Sequence, residues 1–270
     1  MNLATMTSVC PDWTLGEIVQ AMKRHGYNGL EPRVEWDHKV GIEATMTARE
    51  RQEAHDRLDS EGLEFCCVAT GVKMAVADKK ERESQIEDLR RYIELASDIG
   101  SPYVRTFGGV HAETDLLLVI DYVADSYRAV MDEAAARSVT VLIETHDYWC
   151  ASALVRAVVE LIDHECCAVL WDLLHTMRLL ERPEITFQNL QGLVRHLHVH
   201  DYDYGDDGHA QTVALGAGRY DHQTPLRLLS QARFNGFCSV EVIHPRGSSE
   251  DADFILGQYA DKLREYLAYS

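Results

Sequence analysis

A chain of 270 residues, 46% apolar and 26% charged, can bury the core of one large α/β domain, which argues against a disordered or low-complexity protein. The formal charge of −18 repels polyanions and argues against a nucleic-acid partner, although a small anion could still enter a local basic or metal-lined cleft. No run approaches 18 apolar residues, no basic and apolar leader opens the chain, and the seven cysteines (Cys10, Cys66, Cys67, Cys150, Cys166, Cys167, Cys238) lack C-x-x-C spacing, so a cytoplasmic protein with reduced core thiols and no membrane partner is expected.

From the N-terminus, a strand-like run "NLATMTS" near 2–8 precedes an amphipathic stretch at 14–25, and "GLEPRV" near 29–34 precedes another at 47–61. "LEFCCVAT" at 63–70 leads into 80–99, where Ile86, Leu89, Tyr92, Ile93 and Ala96 recur at three and four residues with charges on the other face. "PYVRTFG" at 102–108 and "VTVLIET" at 139–145 are followed by helical patterns at 115–137 and 151–164. "CAVLWD" at 167–172 comes next, and Pro183 separates a loop from a short helix around 185–193. "VRHLHVHD" at 194–201, the glycine-bearing "LGAGRYD" at 215–221, a helix at 224–233, "CSVEVI" at 238–243 and a closing helix at 250–268 complete the chain.

Eight near-continuous apolar strands alternating with helices predict a parallel sheet covered by helices. A single-domain (β/α)8 TIM barrel spanning 1–270 is the simplest solution, with a doubly wound open sheet as the alternative. The first strand is not followed by a glycine fingerprint for a dinucleotide, and no Pro/Gly/Ser-rich linker divides the chain.

A barrel places its active site at the C-terminal ends of its strands. There the fifth, sixth, seventh and eighth strands carry Glu144, Asp172, His198 and Glu241. Any one of these alone is as readily a helix cap or a surface charge. Four together form an oxygen-rich set with one imidazole, suited to a catalytic divalent metal ion, with Mn²⁺ favoured and Mg²⁺, Co²⁺ or Zn²⁺ compatible. In "RHLHVHD", His196, His198 and His200 alternate and share one face, so alternation alone leaves open which of them binds metal.

Arg33, at the end of the second strand, and Arg105, within the fourth, would be costly to bury unpaired at a barrel mouth. Each therefore pairs with a carboxylate such as Glu31 or Glu35, or binds substrate oxygens. His200 and Asp201 at the exit of the seventh strand are candidate acid–base or hydrogen-bonding groups. Trp13, Trp36 and Trp149 are candidate pocket walls, with core packing the more frequent role of such residues. "LGAGRYD" reads first as a structural turn and second as a phosphate nest.

The chain resembles the xylose isomerase-like TIM barrels described as sugar phosphate isomerases/epimerases. The resemblance runs from "GYNGLEPRV" through "VRTFGG", "LIETH", "WDLLHT" and "HLHVHD" to "LGAGRYD" and "GFCSVEV". It implies a divalent metal held by Glu144, Asp172, His198 and Glu241, with His175 contacting a substrate oxygen. In the ketose 3-epimerase branch the two glutamates also form the proton-transfer pair, and Glu144 and Glu241 match those positions. Where those enzymes carry an Arg six residues after the seventh-strand histidine, this chain has Tyr204.

The function expected is a metal-dependent isomerase or epimerase of a keto-sugar or related polyol, acting through an enediolate. A lyase or dehydratase acting on a keto-inositol or 3-keto-glycoside shares the same first step, and a metal- or sugar-sensing barrel is the non-enzymatic alternative. An apurinic-site endonuclease is disfavoured by the acidic charge and by the absence of histidines in "FCCVATG". A small-molecule partner is expected, and self-association into a homo-oligomer is compatible with the fold.

Overall fold

The computed structural model describes residues 1–110, 115–206, 208–244, 247 and 251–268. In chain order the elements begin with β1 (Asn2–Met6), α1 (Leu15–His25), β2 (Gly29–Glu31), α2 (Ala48–Asp59), β3 (Glu64–Phe65), β4 (Val68–Lys73), α3 (Lys79–Asp98) and β5 (Tyr103–Phe107). They continue with α4 (Leu116–Ala136), β6 (Thr140–Glu144), α5 (Ser152–Ile162), β7 (Cys167–Asp172), α6 (Leu173–Arg178) and α7 (Pro183–Leu190). The last are β8 (Val194–Val199), β9 (Asp201–Tyr204), β10 (Ala210–Val213), α8 (Gln223–Gln231), β11 (Phe237–Val240) and α9 (Ala252–Ala268).

Helix starts follow local chemistry. Thr14 with Glu17 and Thr47 with Glu50 form reciprocal capping boxes on α1 and α2, satisfying amides that have no partner within the helix. Gly26 ends α1 at φ 69°, a left-handed conformation that costs glycine little.

Nine strands form one parallel sheet in the order β3-β2-β1-β11-β8-β7-β6-β5-β4. β3 and β4 are two pieces of one stave, interrupted at Cys66 and Cys67, and a parallel bridge from Arg33 to Ala69 joins the chain after β2 to β4. The result is a nearly closed eight-stave (β/α)8 barrel in a single domain, ringed by helices that pack side by side, as α3 does on α4 and α4 on α5. All seven cysteines are unpaired.

The two-residue period of the strands decides what the barrel encloses. On β6, Val141 and Ile143 join the large core beneath the helices, whereas Leu142 faces inward with Cys67, Ala168 and Leu170. The same alternation sends Glu144 and Asp172 to the inside one step beyond Leu142 and Leu170. On β8, Leu197 and Val199 face the helices, leaving His196 and His198 for the interior. The barrel floor is apolar and its upper layers are polar.

Three details differ from the sequence reading. The seventh run breaks after Val199, and β9 pairs with β10 in an antiparallel hairpin that the sequence patterning did not reveal. A short helix, α6, follows Asp172 directly because Asp172 Oδ1 accepts the amides of Leu174 and His175 at 2.8 and 2.9 Å. The last strand stops at Val240, where its neighbours β1 and β8 also cease pairing, although the Glu241 amide still donates to the Val199 carbonyl at 3.0 Å. Residue 250, the expected start of the last helix, lies outside the described residues.

Candidate metal centre

The deepest polar layer is a carboxylate between two imidazoles. Glu31, at the end of β2, accepts His196 Nε2 on one oxygen and His198 Nε2 on the other, both at 2.9 Å, and all three side chains are fully buried. Burial alone would raise the Glu31 carboxyl, but the His198 and His196 rings outweigh it and hold the group well below the usual carboxylate range. An ionised Glu31 requires a proton on Nε2 of both rings, so it fixes the tautomer of each.

That constraint turns His198 Nδ1 toward the mouth. It lies 3.3 Å from Glu144 Oε1 and 3.0 Å from Glu241 Oε2. Ligand-capable atoms of Glu144, Asp172, His198 and Glu241 all lie within 4.8 Å of one another. Burial should discharge His198, yet Glu241, Glu31 and Glu144 together push its pKa well above the ordinary histidine value. Burial likewise opposes ionisation of Glu144, but Arg105 and His198 bring that carboxyl down to about 2.

Behind the two glutamates sits Arg105, 1% exposed. Nη1 donates to the Thr70 carbonyl at 2.7 Å, and the guanidinium lies 4.1 Å from the Phe107 ring centroid. Nε stands 3.2 Å from Glu144 Oε2 and Nη2 stands 3.9 Å from Glu241 Oε1. The Nε–Oε2 approach is close enough for an ion pair but not directed as a hydrogen bond, since neither atom has a hydrogen-bond partner.

At the mouth, Asp172 Oδ2 meets His200 Nε2 at 2.8 Å and His175 Nε2 at 3.8 Å. Burial is again outweighed, here by His175 and His200, and Asp172 titrates well below the usual range. The rings of His146, His175 and His200 form a line, with centroids 4.3 and 5.3 Å apart. Burial lowers the His175 pKa, whereas for His200 the neighbouring Asp172 overcomes burial and raises it. A cavity of about 290 Å³ lined by His146, Asp147, Cys150, His175, Arg178 and Leu179 opens here. A larger hollow of about 580 Å³, lined by Val213, Val242, Phe254 and Tyr259 among others, contains none of the cluster residues.

The donor set suits a divalent cation. Glu144 Oε1 and Glu241 Oε2 converge on His198 Nδ1, and Asp172 brings a third carboxylate within 4.8 Å of the same set, an oxygen-rich group with one imidazole of the kind that holds a divalent ion. Glu31 completes the arrangement by orienting the metal-facing ring through its other nitrogen.

The remaining sequence candidates divide. His175 and His200 join the cluster through Asp172. Arg33 lies beside it, paired with Glu35 Oε2 at 3.1 Å and stacked 4.3 Å from the Trp36 ring, so Glu35 rather than Glu31 is its partner. Arg105 pairs with carboxylates, those of Glu144 and Glu241 rather than Glu31 or Glu35. Asp201 points away from the cluster: its oxygens accept the amides of Tyr202, Gly216 and Gly218 at 3.0, 2.9 and 3.1 Å. That carboxylate fills the glycine loop that the sequence offered as a phosphate nest, because a resident anion on a short tether reaches those amides first. Trp149 is core, with Nε1 donating to the Gly109 carbonyl at 2.9 Å, whereas Trp36 is 40% exposed. Tyr204 lies on the hairpin with the Arg219 guanidinium 5.2 Å from its ring centroid.

Glu31 and His146 were missed as site residues. Glu31 ends its strand just as Glu144 ends β6, so the strand-end rule applied to "GLEPRV" would have found it. His146 follows two residues after Glu144, where no periodicity marks it.

A family model described as xylose isomerase-like TIM barrel matches residues 19–265. No curated protein matches the chain by sequence. Similar solved structures include a probable 3-DHS dehydratase, AsbF, from Bacillus anthracis, at 19% identity and TM-score 0.80, covering 98% of this chain and 99% of that one. An L-ribulose 3-epimerase matches at 16% and 0.81, covering 99% and 95%. An IOLI protein with a bound zinc atom matches at 14% and 0.82, covering 100% and 99%. At such identities the likeness is one of fold.

Proposed function

The chain belongs to the xylose isomerase-like TIM barrel family, and from that premise we propose that it is an enzyme, a divalent-metal-dependent isomerase or epimerase of a keto-sugar or related polyol. Glu144, Asp172, His198 and Glu241 hold the ion, and Glu144 and Glu241 are also the acid–base pair. The observation that carries this reading is the approach of both glutamates to the same His198 nitrogen, at 3.3 and 3.0 Å. One carboxylate on each side of a bound substrate is what inversion requires: one removes a proton from the carbon beside the carbonyl, and the other returns a proton from the far face.

A divalent ion, Mn²⁺ by preference, supplies the positive charge that stabilises an enediolate. The chain supplies the rest. With its pKa brought down to about 2, Glu144 is an ionised base at neutral pH. His175, turned to the cavity beside Asp172, donates to a substrate oxygen, and Arg33 stands at the rim for a further oxygen. His200 steadies Asp172. The neighbouring imidazoles favour a second reading, a lyase, in which His146 or His200, whose pKa values their acidic neighbours raise against burial, protonates a β-leaving oxygen. The similar fold of a probable dehydratase is consistent with that reading.

The test is turnover of keto-sugars and keto-inositols by Glu144→Gln and Glu241→Gln, with metal content measured alongside. Each substitution should lower kcat by about 10²–10⁴-fold or more, the range expected for loss of general acid–base help. Full activity in either metal-loaded variant would sink the two-glutamate mechanism.

A further inference from the structure

Arg105 is a buried cation in the polar layer of the barrel, set against the two glutamates of the candidate metal centre. It is 1% exposed and faces an oxygen of each glutamate, at 3.2 Å for Glu144 and 3.9 Å for Glu241. Nη1 donates a directed hydrogen bond to the Thr70 carbonyl at 2.7 Å. The Phe107 ring covers one side of the guanidinium, so it is held between an aromatic face and two carboxylates.

We infer that Arg105 is a resident counter-charge for the metal centre: it faces Glu144 and Glu241 from the side away from His198, holds them in place when the ion is absent, and so carries part of the charge the ion would otherwise supply. This inference rests on the proposed metal reading. Charge balance supports it. Glu144, Asp172 and Glu241 contribute three negative charges, and a divalent ion with Arg105 cancels them. Without the ion, the Arg105 charge offsets part of the repulsion between the buried carboxylates it faces in a low-dielectric interior. The oxygens facing Arg105 are also the ones turned away from His198, so the arginine neutralises the pair from behind while leaving Glu144 Oε1 and Glu241 Oε2 on the ligand side.

A cation this close also repels the incoming ion. Removing it therefore destabilises the metal-free protein more than the metal-loaded one, and by thermodynamic linkage the ion must bind more tightly to the variant. A substrate-binding arginine would behave differently, since its loss would raise KM and leave metal affinity unchanged. A merely structural residue would lower both melting temperatures together.

The experiment measures Mn²⁺ affinity by titration calorimetry, and melting temperature with and without Mn²⁺, for the wild-type chain, Arg105→Gln and Arg105→Lys. Gln keeps a donor for the Thr70 carbonyl without the charge, and Lys keeps the charge. The expected result is about tenfold or tighter Mn²⁺ binding by Arg105→Gln, with a wider gap between its two melting temperatures, while Arg105→Lys stays near wild type. Unchanged or weaker binding by Arg105→Gln would overturn the inference. If Arg105→Gln does not fold without metal, refolding in the presence of Mn²⁺ decides: rescue supports the counter-charge role, and failure in both conditions contradicts it. Absence of Mn²⁺ binding by the wild-type chain would instead refute the metal reading itself.

Discussion

Two groups of one carboxylate and two imidazoles stand one above the other in this barrel, and they are built oppositely. In the deep group, Glu31 gives one oxygen to His196 and the other to His198, at 2.9 Å each, and every side chain is sealed from solvent. In the upper group, Asp172 spends one oxygen capping α6 and leaves the other facing His200 at 2.8 Å and His175 at 3.8 Å, beside an open cavity. The same residue types thus serve as a fixed support where every polar atom of the carboxylate is matched, and as a working surface where one oxygen is shared. The difference comes from depth along the strand: two residues further toward the C-terminal end, the interior stops being packed and begins to open.

The sharpest way to break the comparison is to cut the deep group. Glu31→Gln leaves two buried imidazoles without their anion and frees the tautomer of His198. Metal affinity should fall by about 10–100-fold, the usual effect of losing a partner behind a ligand. Stability should fall by about 3 kcal/mol, because a buried charge partner is removed. Calorimetric titration with Mn²⁺ and denaturant melts check both, and a variant with wild-type affinity would mean that Glu31 plays no part in orienting His198.

Cutting the upper group should cost much less stability. His200→Asn removes one partner of Asp172 but leaves the α6 cap and the His175 contact, so a loss of about 1 kcal/mol is expected, with Mn²⁺ affinity changed by only about threefold. Turnover should nonetheless drop, since the ring holds the Asp172 oxygen that is left free of the α6 cap. Equal destabilisation by His200→Asn and Glu31→Gln would erase the distinction between the two groups.

Most of this arrangement was legible in the sequence because period-two alternation and strand-end position carry it. Leu142 and Leu170 facing inward are enough to send Glu144 and Asp172 the same way, and His198 follows from Leu197 and Val199 facing out. What was not legible depends on contacts between distant segments. Arg105 offered Glu31 or Glu35 as carboxylate partners, but the barrel sets it against Glu144 and Glu241 from distant strands. Asp201 looked available because it follows His200, yet the amides of Gly216 and Gly218 claim it through a hairpin that no local pattern predicts. Arg33 had two carboxylates within reach of its sequence position, and only the fold decides for Glu35.

In the proposed metal reading, a divalent ion displaces a proton from the cluster around His198 Nδ1. Because the His198 pKa is raised well above its ordinary value in the metal-free protein, that ring is protonated near neutral pH, and a cation reaching Nδ1 must expel the proton. Metal affinity should therefore rise with pH from the neutral range up to that raised pKa. The deciding measurement is titration with Mn²⁺ near pH 7 in buffers of different ionisation enthalpy. One bound ion releasing about one proton is the predicted result, and either no binding or binding without proton release would contradict the account.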